Sequence, residues 1–204
     1  MPRLWASGLW SRWPKQAGCN VYPIGVIMVT LPKIETFCEE ARAMGALDAV
    51  VISPQKVFTA AWVRLRCQYG CSGYNLCLTC PPYSPKPETT RKMLDEYQTA
   101  ILLHGEKTKT LRRIGRELED KIFFAGYYKA FAFLCGPCSL CRECVVVKLK
   151  KGKPAICKYP ELARPSMEAA GIDVFATARA AGLPIEVVRS TEQKQDYYAL
   201  VLVE

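Results

Sequence analysis

The chain has 204 residues, half of them apolar and 23% charged, with 11 cysteines and a formal net charge of +9. That length suits one domain with a sizeable core, and no run of about 18 apolar residues is present to span a membrane. The cysteine number is odd, the N-terminus lacks a secretory signal pattern, and cysteines crowd into short loops, which disfavours a disulfide framework and favours metal-ligating thiols in a reducing cytoplasm.

Residues 1–27 set Trp5, Trp10 and Trp13 among basic residues and prolines and read as a disordered N-terminal tail. Residues 28–204 read as a single Cys-rich domain, expected to bind metal. Pro32 opens a helix with the apolar stripe Ile34, Phe37, Cys38, Ala41 and Met44, closed by Gly45. Ala49 to Ile52 reads as a buried strand, and Val57 to Leu65 as a second strand that delivers Cys67. Beyond the loop 67–87, Glu88 to Tyr97 is a helix and Thr99 to Leu103 a third strand. Thr108 to Ala125 is a long amphipathic helix, with Glu117, Glu119 and Asp120 on its solvated face. Lys129 to Leu134 is a fourth strand and delivers Cys135. Pro165 to Ala170 and Val174 to Ala181 are short helices, the second capped by Asp173. Ile185 to Val188 and Tyr197 to Val203 are the closing strands. The expected fold class is α/β or α+β: a single mixed-sheet sandwich domain with two Cys-rich loops at strand ends.

The densest loop holds Cys135, Cys138, Cys141 and Cys144 at successive three-residue steps, with Cys157 beyond a basic loop. Zinc is commonly held by two knuckles separated by a longer spacer. An unbroken C-x2-C-x2-C series suits a cubane, which takes three thiolates from one loop and a fourth from elsewhere. The spacing favours Cys138, Cys141, Cys144 and Cys157 as ligands and leaves Cys135 as a buried thiol. The upstream group is C-x3-C-x5-C-x2-C at Cys67, Cys71, Cys77 and Cys80, followed by Pro81-Pro82. Either all four ligate, or Cys67, Cys71 and Cys80 ligate without Cys77 and leave one iron open. Gly70 and Gly73 would let backbone N–H groups approach sulfur.

Two clusters, each adding about −2, would bring the chain to about +5. Much of the basic excess then reads as local compensation, which argues against nucleic-acid binding. The run Lys148-Leu149-Lys150-Lys151-Gly152-Lys153 offers either that compensation or a docking face for an acidic redox partner protein. Arg164 and Ser166, at the start of a helix soon after Cys157, are candidate cofactor-binding residues beside the cluster. His104 reads as a polar strand end. Gly105-Glu106-Lys107-Thr108 lacks the preceding glycine of a P-loop.

The strings Trp62 to Cys71, Cys80-Pro81-Pro82-Tyr83-Ser84-Pro85, Gly136-Pro137-Cys138-Ser139-Leu140-Cys141, Cys157-Lys158-Tyr159-Pro160-Glu161 and Ala163 to Ala169 resemble a family of predicted metal-binding proteins. It is a domain of unknown function found largely in anaerobic microbes, and the resemblance spans about residues 30–204. It implies metal binding through Cys67, Cys71, Cys80, Cys138, Cys141, Cys144 and Cys157, with Cys77 and Cys135 as extras, and implies no particular reaction.

The expected function is therefore an iron–sulfur protein with one or two 4Fe–4S clusters and an electron-transfer or redox accessory role. Two alternatives stay open: an enzyme using an open iron at the 67–80 site on a small anionic substrate, and a zinc-stabilised interaction module.

Overall fold

The computed structural model describes residues 31–148, 155–190 and 192–204. The expected 1–27 tail and residues 149–154 of the basic loop lie outside the described residues. Five α-helices and four strands fall within them: α1 (Ile34–Ala43), β1 (Asp48–Ile52), α2 (Ala61–Gly70), α3 (Pro87–Leu94), β2 (Ala100–Gly105), α4 (Thr108–Phe124), β3 (Phe131–Phe133), α5 (Val174–Ala180) and β4 (Tyr197–Leu202).

All six residues of β2 are buried, because β2 lies inside an antiparallel sheet of order β1-β2-β4-β3. Side chains alternate between the two faces of a strand. Ile101 and Leu103 of β2, with Ala199 and Val201 of β4, meet Phe37 and Ala41 of α1 and Leu111, Ile114, Leu118 and Ile122 of α4. Ala100, Leu102, Leu200 and Leu202 face the other way, onto Leu94 of α3, Met167, Ile172 and Ala178. The sheet is thus covered on both faces, as in the expected mixed sandwich. The α4 stripe follows the helical period, and Gly115 within it permits close approach, since a β-carbon there would lie 2.7 Å from Leu134 Cδ2. The Asp173 cap on α5 is present, its Oδ1 accepting from the Ala176 N–H at 3.0 Å.

Three local expectations are corrected. Val57 to Leu65 is not a strand: pairing stops at an isolated bridge between Thr59 and Ile172, and α2 begins at Ala61. Ala, Leu, Arg and Gln supply adequate helix propensity there. Cys67 therefore sits on the last turn of a helix. Ile185 to Val188 is irregular; Ile185 is buried while Val187 is exposed, which anchors the segment without a strand partner. Pro165 to Ala170 shortens to a 3-10 turn at Glu168–Ala170. The residues before it pair with β3's extension instead: Leu134 N–H donates to Pro165 O at 2.8 Å and Met167 N–H to Leu134 O at 2.9 Å.

Glu119 also departs from its expected solvated face. It is 2% exposed and receives two bonds from Arg164. Glu117 and Asp120 are exposed. His104 is a buried structural residue, bonded to Asp196 Oδ1 at 2.8 Å and stacked on Tyr198.

Candidate metal centre

Helix α2 ends at Gly70, and the chain then folds on itself through short turns: Tyr74 N–H bonds Cys71 O, Cys80 N–H bonds Cys77 O, and Ser84 N–H bonds Cys80 O. Arg64 fixes this unit to the body of the domain. Its Nη1 reaches Ser84 Oγ at 2.9 Å, Pro85 O at 3.0 Å and Ala169 O at 2.7 Å. Ser84 Oγ donates to the same Ala169 carbonyl at 2.6 Å. One arginine thus ties the helix carrying Cys67, the exit from Cys80 and the 168–170 turn together.

Every described cysteine is a free thiol, and those of the two loops sort into two neighbourhoods. In the first, burial pushes the Cys67 and Cys80 thiols up, and in each the nearby Cys71 adds most to that effect. A β-carbon on Gly73 would stand 3.6 Å from Cys71 Sγ and 3.9 Å from Cys80 Sγ, so glycine keeps the space between these thiols clear. The Gly73 N–H also faces Cys71 Sγ at 3.4 Å, the kind of backbone contact that tunes a metal-bound sulfur.

Cys77 belongs to the second neighbourhood. Its sulfur lies 3.8 Å from Cys138 O. Burial pushes it up to about 12, reinforced by Cys80, Cys144 and Cys138. Burial likewise raises Cys157, opposed by a hydrogen bond from the Tyr159 backbone and reinforced by Cys138, Cys144 and Cys141. Cys77, Cys138, Cys141, Cys144 and Cys157 all line one cavity of about 310 Å³, together with Leu76 and Leu140. Among the described residues, no three His, Cys, Asp or Glu side chains converge on one ion position; these thiols are spread around the cavity wall.

The remaining cysteines stand apart. Cys135 is 1% exposed, lies 3.7 Å from Thr108 O and is pushed up to about 12 by burial. Cys38 is buried on α1 and is raised by burial to about 11. Between the neighbourhoods, Cys77 and Cys80 are hydrogen-bonded, and Pro137 closes on Gly73, 3.3 Å from where its β-carbon would be. Helix α4 places positive charge beside the second loop: Arg112 Nη1 donates to Pro137 O at 2.6 Å, and Arg116 is close enough for Cys138 to favour its charged form, although burial lowers it overall.

Arg164 and Ser166 point to different places. Arg164 is 7% exposed. It bonds both oxygens of Glu119, the carbonyls of Pro160 and Ala163, and stacks over Phe131. Ser166 Oγ accepts from Ala169 N–H at 3.1 Å and hydrogen-bonds the Glu168 carboxylate. Glu168, two residues beyond Ser166, is a residue the sequence reading passed over. Its carbonyl oxygen receives the Cys67 thiol at 3.8 Å.

Helices on an open antiparallel sheet carry two loops of free thiols, a donor type that suits zinc or iron–sulfur clusters. The chain belongs to the family described as Predicted metal-binding protein (DUF2284), whose model matches residues 50–203. No curated protein and no solved structure matches the chain. No helix among the described residues is long and apolar enough to cross a membrane.

Proposed function

We propose that the protein carries two iron–sulfur centres and passes electrons between them and a partner. The observation that carries this reading is the division of the thiols. Cys67, Cys71 and Cys80 form one set, and Cys138, Cys141, Cys144 and Cys157 line a cavity with Cys77. Their contact through Cys77 and Cys80 would keep two centres close enough for electron exchange. The C-x2-C-x2-C steps and the spread of thiols round a cavity favour a polynuclear cluster over a single tetrahedral ion. When bound, such clusters supply one-electron redox chemistry. The thiolates of the chain would hold the clusters, Leu76 and Leu140 give the second cavity an apolar lining, and Arg112 and Arg116 would offset negative charge. A reducing cytoplasm suits this thiol set, and the basic run beginning at Lys148 would steer an acidic redox partner.

The three-thiol composition of the first set favours a second reading in which that site also binds a small anion at iron. Anaerobic purification with iron and acid-labile sulfide analysis tests the main proposal. Iron and sulfide in near-equal amounts, with broad absorbance near roughly 400 nm, is the expected result. Stoichiometric zinc without sulfide would instead identify a zinc-stabilised module.

A further inference from the structure

Resting on that reading, we propose that the Glu168 carboxylate supplies a fourth, oxygen ligand to the metal centre held by Cys67, Cys71 and Cys80. With Cys77 lining the other cavity, although hydrogen-bonded to Cys80, the first set is one donor short of the four that a cubane uses. Cys135, the remaining thiol nearby, is engaged with Thr108 O. Glu168 is the acidic residue fixed against this set. Its backbone meets the Cys67 thiol, and its negative charge acts on both Cys67 and Cys135.

The state of its carboxylate points the same way. Part of the residue reaches the surface, but Oε2 has less than 1 Å² of accessible surface and no hydrogen-bond partner among the described residues. Unpaired buried carboxylate oxygens are costly, because they surrender water without replacement. Among the described residues, Arg64 is spent on backbone carbonyls and Ser84, Arg164 on Glu119, and Arg112 donates to Pro137 O. A bound metal would supply the missing positive charge. Ser166 and the residue's own N–H hold the carboxylate against rotation, as supporting hydrogen bonds hold a metal ligand.

The backbone around Glu168 is fixed from three sides. Ala169 O takes bonds from Arg64 and Ser84, Ala170 O takes one from Thr90 at 2.7 Å, and Met167 N–H is paired to Leu134 O. Gly171 then turns with φ +78°, where a β-carbon would strike Pro87 at 2.5 Å. The turn therefore presents Glu168 to the Cys67 end of α2 in a defined position.

The test uses the full chain, purified anaerobically, with wild type beside Glu168→Gln and Glu168→Cys. An oxygen-ligated iron is held less firmly than a thiolate-ligated one. Mild oxidation of Glu168→Gln is therefore expected to release about one more iron per chain than wild type and to raise a three-iron EPR signal, by cubane stoichiometry. Glu168→Cys is expected to suppress that release and to shift the reduced-cluster EPR spectrum. In wild type labelled with 13C-glutamate, the reduced first-site cluster is expected to show a 13C hyperfine coupling. This last measurement needs no variant to fold, and absence of the coupling overturns the assignment. So does a Glu168→Gln protein with wild-type iron retention and EPR spectrum. A wild-type protein that holds no iron–sulfur centre overturns the proposed function itself, and this inference with it.

Discussion

Arg164 and Glu119 form a bidentate ion pair, both bonds at 2.7 Å, with side chains 5% and 2% exposed. The pair joins the segment just after Cys157 to the middle of α4. Glu119 Oε2 also accepts the Ala132 N–H of β3 at 3.0 Å, so three pieces of chain meet at one carboxylate. Breaking a buried pair by removing one partner leaves an uncompensated charge, at a cost of about 3–5 kcal/mol. Glu119→Ala is expected to lose that much stability in urea unfolding of the apo-protein. Arg164→Lys, which keeps charge but not the two-pronged geometry, is expected to lose less.

Cys77 distinguishes a spare thiol from a required one. The second cavity is lined by five cysteines, one more than a cubane needs. Cys77→Ser is expected to retain the full iron content. Cys138→Ser and Cys141→Ser are each expected to lose roughly half of it, by the stoichiometry of two equal clusters. Iron and sulfide analysis of anaerobic material separates these outcomes. Loss of half the iron on Cys77→Ser would place Cys77 among the ligands.

The buried thiols outside both sets contribute to the pH behaviour of the apo-protein, alongside Cys77 and the other raised thiols of the two loops. Cys38 is raised to about 11 and Cys135 to about 12, mainly by burial, from an ordinary value of 9.0. A thiol with a raised folded-state value favours the fold while it is protonated. Its contribution is complete below about 9 and is lost as pH rises toward the folded value, because the unfolded chain ionises first. Urea midpoints of the apo-protein are expected to fall between pH 8 and pH 10.5, about those limits, and to fall less in Cys38→Ala and Cys135→Ala. Iodoacetamide at pH 8 is expected to label exposed Cys71 well before either buried thiol, because only the thiolate attacks. Peptide mass spectrometry reads the order.

The strands Ala100–Gly105 and Tyr197–Leu202 and the α4 stripe were legible because long periodic apolar patterns report directly on burial. The segment Val57 to Leu65 was not. Its apolar residues carry no clean period, and what decides its state is Arg64 reaching Ser84 and Ala169, contacts distant in sequence. The spacing marked the cysteine loops as candidate metal ligands, and the family match supports metal binding in general. Their partition was not legible, because the turn that sends Cys77 to the cavity and leaves Cys80 beside Cys71 depends on three-dimensional folding of the loop. Glu119 misled for a related reason: a carboxylate on a polar helix face looks solvated until Arg164 arrives from 45 residues away. Glu168 had a signal, its place in Arg164-Pro165-Ser166-Met167-Glu168 so soon after Cys157, but the more obvious Arg and Ser drew the assignment.

Gly73 tests the first set without touching a ligand. A β-carbon there would press on Pro137 at 3.3 Å and stand between the Cys71 and Cys80 sulfurs, while Gly70 meets nothing within 4 Å. Gly73→Ala requires only a shift of a few tenths of an ångström in the apo-protein, so its stability is expected to change by less than about 1 kcal/mol. The same methyl group would lie beside Cys71 and Cys80, two thiols of the proposed first cluster. Iron content is therefore expected to fall toward half, with the second-site EPR signal retained. Gly70→Ala, in the last turn of α2, removes a flexible residue from a helix and is expected to hold or raise stability while leaving iron unchanged. Equal iron in the two variants would mean that the space beside Gly73 is not part of the metal site.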